Sequence, residues 1–170
     1  FSDAFEATTG ILELTKTIEG DLTADEIAGD LTFVVSTEVT EGDETVTKYL
    51  DKDGSLSDEE VTLTVGEDFT LNEETGKYVL TIKNVAPGGY TVTETTIQPD
   101  GTKTTVTYSV NGGEEAEGSE AAAEVTKGEK TTVEFSDEIR EVGSLELTKT
   151  IEGDLTKEEI EGALTFVVTT

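Results

Sequence analysis

Three ionisable residues stand where an alternating strand pattern calls for an apolar one. Leu12, Leu14, Lys16 and Ile18 share one face of their segment; Tyr90, Val92 and Glu94 share one face of theirs; Val133, Phe135, Asp137 and Ile139 share a third. Successive side chains of a strand point to opposite sides, so each segment aims one charged group at the face that should be buried. Sequence gives no contact between the three. In a sandwich the first and last strands are often neighbours, and a middle strand can face both across the core. Burial disfavours charge: a buried lysine gives up its ammonium form readily, and a buried carboxyl is driven toward the neutral acid. An amine held against a carboxyl, with a second carboxyl to move protons, can condense to an amide. Orientation alone supplies effective molarities on the order of 10⁵ M or more. The expected product is an isopeptide bond from Lys16 to Asp137, with Glu94 polarising the acceptor and shuttling protons. Two plainer arrangements compete: a snorkelling lysine with its head in water, and a buried ionic cluster that never condenses.

The rest of the inventory narrows the chemistry. The chain has 170 residues with no Cys, His, Met or Trp. Without Cys there is no disulfide, thiolate nucleophile or zinc–sulfur site. Without His the commonest general base and metal ligand are missing, which excludes serine–histidine hydrolysis. Asp and Glu number 39 against 11 Lys and Arg, a formal net charge of −28. That balance argues against nucleic acid and anionic membrane surfaces as partners, since both select basic faces. High charge and few aromatics also suit a disordered chain, but the regular apolar alternation argues for a folded one. No apolar run is long enough to span a membrane; no signal peptide is visible, and the sequence starts at Phe1 rather than Met.

An internal repeat organises the whole. The stretch FSDAFEATTGILELTKTIEGDLTADEIAGDLTFVVST opens the chain and FSDEIREVGSLELTKTIEGDLTKEEIEGALTFVVTT closes it. Lys149 is then the counterpart of Lys16, and Asp3 that of Asp137. The sequence reads as an excerpt of a tandem array: residues 1–9 end a preceding repeat, 10–141 form a complete one, and 142–170 begin the next. In this excerpt Lys149 is expected to stay a free amine and Asp3 to belong to the previous repeat. Within the complete unit, Thr/Val-rich alternation predicts strands at 11–18, 31–37, 45–50, 60–65, 78–83, 90–97, 103–110 and 131–139. Turns are expected at Asp53-Gly54, Thr75-Gly76, Pro87-Gly88-Gly89, Asp100-Gly101 and Asn111-Gly112-Gly113. Thr23-Ala24-Asp25-Glu26 has capping-box spacing and predicts one short helix per repeat, echoed at Thr156–Glu159. Residues 113–124 read as an acidic, alanine-containing loop with at most a helical turn. The expected architecture is all-β, an antiparallel sandwich.

Three stretches together resemble the Cna B-type and pilin isopeptide-linkage domains of Gram-positive surface proteins: LELTKT with Lys16, GGYTVTET with Glu94, and VEFSDEI with Asp137. The resemblance spans Gly10 to Glu141 and keeps the order Lys, Glu, acceptor; the Gly-Tyr-x-Val-x-Glu piece is its most specific part. The acceptor in that family is often Asn, and here it is Asp, as in some members. The resemblance implies an Ig-like sandwich, Lys16 and Asp137 as the cross-linked pair, Glu94 as the catalytic group, an extracellular cell-wall or pilus location, and neighbouring repeats or subunits as partners.

Other motifs carry less. Residues 49–60, YLDKDGSLSDEE, match later positions of an EF-hand loop, but Tyr49 occupies the first ligand position and a strand precedes it. An Asp-Gly hairpin turn is the expectation, with no metal. A Thr–Gln ester cross-link lacks its parts: the lone glutamine, Gln98, follows the Glu94 strand and there is no His to assist. The expected function is a structural stalk or fibre module of pilin or adhesin type, closed by a self-formed bond, without cofactor and without turnover. The rival is an adhesin module that recognises a host protein or glycan through its loops, for which Tyr49 and Phe69 are the aromatics nearest probable loops. A calcium-dependent linker is a third reading.

Overall fold

The computed structural model describes residues 8–154, 162 and 164–169. Twelve strands and two short helices follow one another from Gly10 to Glu141. They are β1 (Gly10–Gly20), α1 (Ala24–Ile27), β2 (Thr32–Glu41), β3 (Glu44–Leu50), β4 (Leu56–Ser57), β5 (Leu63–Thr64), α2 (Val65–Asp68), β6 (Thr70–Asn72), β7 (Lys77–Val85), β8 (Gly88–Glu94), β9 (Thr102–Val110), β10 (Ala116–Glu117), β11 (Glu120–Val125) and β12 (Lys130–Glu141). One sheet runs β10-β9-β12-β1-β7-β6; the other runs β11-β8-β2-β3-β4, with β5 alongside β2. All pairings are antiparallel except that of β1 with β12. The chain is an all-β sandwich in which the first and last long strands lie side by side at the centre of one sheet.

Period-2 burial produces this. In β1 Leu12, Leu14 and Lys16 are fully enclosed; in β12 Thr131, Val133, Phe135, Asp137 and Ile139 are; in β8 Tyr90, Val92 and Glu94 are. Their apolar members pack with Phe33, Val35, Leu50, Leu63, Ile82 and Leu80 into one core. Apolar area removed from water, about 25 cal/mol per Å², is the main force that closes the two sheets on each other. Turn chemistry sets the register at the edges. Asn111 and Gly112 both adopt positive φ (52° and 67°), and Gly113 N–H donates to Val110 O at 3.0 Å. Two successive left-handed residues make the primed turn that matches strand twist, and it leads β9 back toward β10. In α1 the Glu26 carboxylate accepts from both the N–H (2.9 Å) and the hydroxyl (2.7 Å) of Thr23, half of the anticipated capping box.

The structure corrects the sequence reading in several places. Residues 113–124 are not a loop: β10 and β11 lie there, and β11 pairs along β8 with Ala121 against Val92 and Ala123 against Tyr90. Small side chains alternate inward here (Ala121, Ala123, Val125) and let the edge strand close over the core. The strand expected at 60–65 shrinks to β5, because Val65 begins α2, where Asp68 accepts from Thr64 N–H at 2.8 Å. The strand expected at 90–97 ends at Glu94, and β4 and β6 were not anticipated. The second helix expected at 156–159 lies outside the described residues, as does Asp3.

Candidate functional site: a buried lysine between two carboxyls

Each of the three inward-pointing ionisable groups comes from a different strand, and the fold brings them to one place. Lys16 and Asp137 sit on the neighbouring strands β1 and β12, one diagonal apart: Lys16 faces Phe135 in the register and Ile18 faces Asp137. Glu94 ends β8 in the opposite sheet and reaches across the core. The Lys16 Nζ lies 2.5 Å from Glu94 Oε1 and in direct contact with Asp137 Oδ1. All three side chains have 0% exposure.

The surroundings are apolar. Phe135 and Tyr78 flank Lys16 on the two adjacent strands. Ile18 and Val106 flank Asp137. Phe33 stands opposite Glu94 in the register, and its ring meets that of Phe135 edge-on at 5.3 Å between centroids. Among the described residues, neither the Lys16 ammonium nitrogen nor any oxygen of the two carboxyls makes a hydrogen bond of ordinary geometry. The lysine and the carboxyls therefore have only each other. Desolvation pushes the Glu94 carboxyl up to about 7 from 4.5; the nearby Lys16 pulls it down and Asp137 pushes it up further, by lesser amounts.

That environment bears on the two plainer readings taken from sequence. A snorkelling lysine is excluded, because the Lys16 head group does not reach water. A stabilising ion cluster would need its remaining lone pairs and protons satisfied, since burying charges costs several kcal/mol per ion before their attraction is counted. Here they are not satisfied. What the arrangement can do is bring an amine, an electrophilic carboxyl carbon and a proton-carrying carboxyl within reaction distance in a dry enclosure. The enclosing aromatics escaped the sequence reading, although Phe135 had been placed on the inward face and the alternation of Leu31, Phe33 and Val35 carried the same signal.

The remaining candidates are accounted for separately. Lys149 is exposed and belongs to no strand. Residues 51–55 form the hairpin turn between β3 and β4, with Asp51 N–H donating to Ser55 O (2.9 Å) and Asp53 accepting from the N–H and hydroxyl of Ser55. No group of His, Cys, Asp or Glu among the described residues is placed to hold a metal ion. Gln98 is exposed between β8 and β9. Phe69 is not a loop-tip aromatic: it is buried and packs on Phe33 at 5.4 Å, while Tyr49 lies half-buried in β3. No helix among the described residues is long and apolar enough to cross a membrane.

No family model and no curated protein matches the sequence. Among solved structures, the chain is similar in fold to the major pilin of Streptococcus pyogenes. A crystal structure of a mutant of that pilin shares 17% identity at a TM-score of 0.40, covering 80% of this chain and 49% of that one. The crystal structure without that mutation gives 16% and 0.36 over the same shares. The T-13 major pilin protein of the same species gives 14% and 0.38, covering 79% of this chain and 45% of that one. The chain thus spans about half the length of the pilin structures it resembles, and the likeness is one of fold alone.

Proposed function

We propose that residues 10–141 form a structural module of a pilin- or adhesin-type surface fibre or stalk, closed by an autocatalytic isopeptide bond between Lys16 and Asp137 with Glu94 as the catalytic group. The observation that carries this reading is the enclosed trio, in which the amine has no partner but the two carboxyls. In the reaction the Lys16 Nζ attacks Cγ of Asp137. The C–N bond forms, one C–O bond of the carboxyl breaks, and water departs with the oxygen. Glu94 accepts a proton from the nitrogen and returns one to the leaving oxygen, so it ends as it began. Its carboxyl, raised to about 7, is poised to do both near neutral pH. No cofactor is needed. The reaction consumes its own side chains once, so the module is not a turnover enzyme.

The placement suits a load-bearing unit. β1 and β12 run parallel, with Gly10 at one end of the pair and Glu141 at the other. Tension applied through Gly10 and Glu141 therefore loads these two strands first, and a bond from Lys16 to Asp137 would carry it past everything folded between them. The same closure would constrain the unfolded chain as a disulfide across a long loop does, by roughly 4–5 kcal/mol. Its net charge and repeats suit an exposed, extracellular array whose partners are further copies of the unit.

Intact mass under denaturing conditions tests the reading. The chain is expected to weigh one water less than its sequence, and Lys16→Ala and Glu94→Ala are each expected to restore the full mass. A full mass in the unaltered chain would sink the bond and leave the loop-borne adhesin reading in its place.

A further inference from the structure

Buried polar groups are nearly always paired in folded proteins, and each exception calls for a reason. Among the described residues, the enclosed side-chain polar atoms that make no hydrogen bond belong to Lys16, Glu94, Asp137 and Thr104. The first three are the trio; Thr104 has no part in the chemistry set out above. We propose that Thr104 is a positioning residue of the same site: its hydroxyl and the carboxyl of Asp137 hold one water molecule between them, in the place that receives the water released by condensation. The role in condensation rests on the bond proposed above; the water site itself does not.

The register places Thr104 on the far side of Asp137 from Lys16. β12 lies between β1 and β9. On β1, Lys16 stands level with Phe135, two residues before Asp137. On β9, Thr104 stands level with Ile139, two residues after it, and Val106 faces Asp137 itself. Directly opposed residues of an antiparallel pair share a face, so Thr104 points into the core with Ile139, as Val106 does with Asp137. Thr104 and Asp137 are then diagonal neighbours, about 7–8 Å apart along the backbone. Their side chains shorten that gap without closing it, since the Thr104 hydroxyl has no partner among the described residues. One water, bonded to each side at about 2.8 Å, spans what is left. A buried water needs roughly two to four polar partners. The Thr104 hydroxyl offers both a donor and an acceptor, and Asp137 brings Oδ2, because it is Oδ1 that meets Lys16.

The surface opens at this flank. A cleft of about 490 Å³ lies there, lined by Thr104 and Val106 of β9, by Gly118 and Ser119 of the β10–β11 turn, and by Thr96 just past β8. Two of these residues adjoin the trio: Val106 faces Asp137, and Ser119 O accepts from Glu94 N–H at 2.8 Å. Gly118 N–H donates to Val106 O at 3.0 Å and ties the turn to β9. Thr104 sits between the trio and the cleft, since the residue lines the cleft while its hydroxyl is shielded from solvent. In the condensation the oxygen that leaves Asp137 keeps its own proton and takes a second by way of Glu94, so it departs as neutral water and no further reactant is required. A donor already in place stabilises the charge that develops on that oxygen as its bond to carbon breaks. Passing the water on to the cleft also removes the reactant of the reverse hydrolysis.

The test follows intact mass against time after the full chain is refolded from denaturant. Thr104→Val keeps the shape and removes the hydroxyl; it is expected to slow the loss of one water about three- to tenfold. Thr104→Ser is expected to bring back close to the unaltered rate. A purely structural Thr104 predicts otherwise, because removing an unpaired buried hydroxyl leaves stability unchanged or raises it, and the rate would not fall. Equal rates in the unaltered and Thr104→Val chains, or equal slowing by Thr104→Val and Thr104→Ser, would overturn the proposal and leave the bond standing. If the unaltered chain keeps its full mass, the bond fails and the water site is read alone. Nuclear Overhauser cross-peaks between a long-lived water and the Thr104 methyl, lost in the Thr104→Val chain, then uphold the site, and their absence from the unaltered chain rejects it. Should Thr104→Val fail to refold, the same cross-peaks decide in the Glu94→Gln chain, whose trio keeps its shape without the proton shuttle.

Discussion

The nonapeptide LELTKTIEG is a central strand at residues 12–20 and an exposed, strandless stretch at residues 145–153. Composition, local propensity and binary pattern are identical in the two, so none of them accounts for the difference. What differs is company. The first copy has β12 on one side and β7 on the other, and Glu94 reaching over its lysine from the facing sheet. A strand owes its stability to cross-strand neighbours and to the face it buries, more than to any intrinsic backbone preference. The lysine shows the same thing chemically. At position 16 it is enclosed with two carboxyls; at position 149 it is exposed and lies in no strand. The enclosed environment belongs to the slot, and the nonapeptide supplies only one member of the trio.

Substitutions made in pairs test that contrast. Leu14→Ala opens a cavity beneath β1 and is expected to cost about 2–5 kcal/mol, whereas Leu147→Ala should leave stability within about 0.5 kcal/mol; urea unfolding followed by circular dichroism reads both. Equal effects would mean that the second copy is packed after all.

Protons give the next largest difference. With its pKa raised from 4.5 to about 7, Glu94 holds a proton in the folded, uncondensed chain that the unfolded chain has released. Its contribution is fully present below about pH 4.5 and is lost as pH rises to about 7, by up to about 3 kcal/mol at roughly 1.4 per unit. Double-jump unfolding of freshly refolded chain, before any mass is lost, should show stability falling across that window. Glu94→Gln should flatten the fall, while Lys149→Ala should leave it unchanged.

Gly20→Ala should cost about 1–3 kcal/mol, because the left-handed backbone and the Ile139 carbonyl both oppose a Cβ. At Gly153, where nothing lies within 4 Å, the same change should not shift the melting temperature measurably. The smallest effect is at the surface. Glu13 of β1 meets Lys130 of β12 at 2.7 Å, with the lysine half exposed. Lys130→Ala should cost less than about 1 kcal/mol, and Glu146→Ala, at the second copy's equivalent of Glu13, nothing that calorimetry detects.

Legibility in the sequence divides along the same line. The faces of β1, β8 and β12 could be read directly, because period-2 alternation is local and one polar residue on an apolar face stands out. Lys16, Glu94 and Asp137 were visible for that reason. The acidic segment at 113–124 was not legible as strands, since Ala and Glu read as helix or loop until β8 is present to pair with. Phe69 looked like a loop residue and lies in the core against Phe33, because α2 folds it inward.

By itself, then, the sequence determined the class of fold, the inward face of each long strand and the identity of three misplaced charges, all of which follow from the geometry of one extended chain. Only the tertiary structure decided that β1 and β12 are neighbours, that Glu94 comes over them from the facing sheet, and that one LELTKTIEG is buried while its twin is not. Those outcomes depend on contacts between residues far apart in the chain, such as Lys16 with Glu94 and Lys16 with Asp137, which no local pattern encodes.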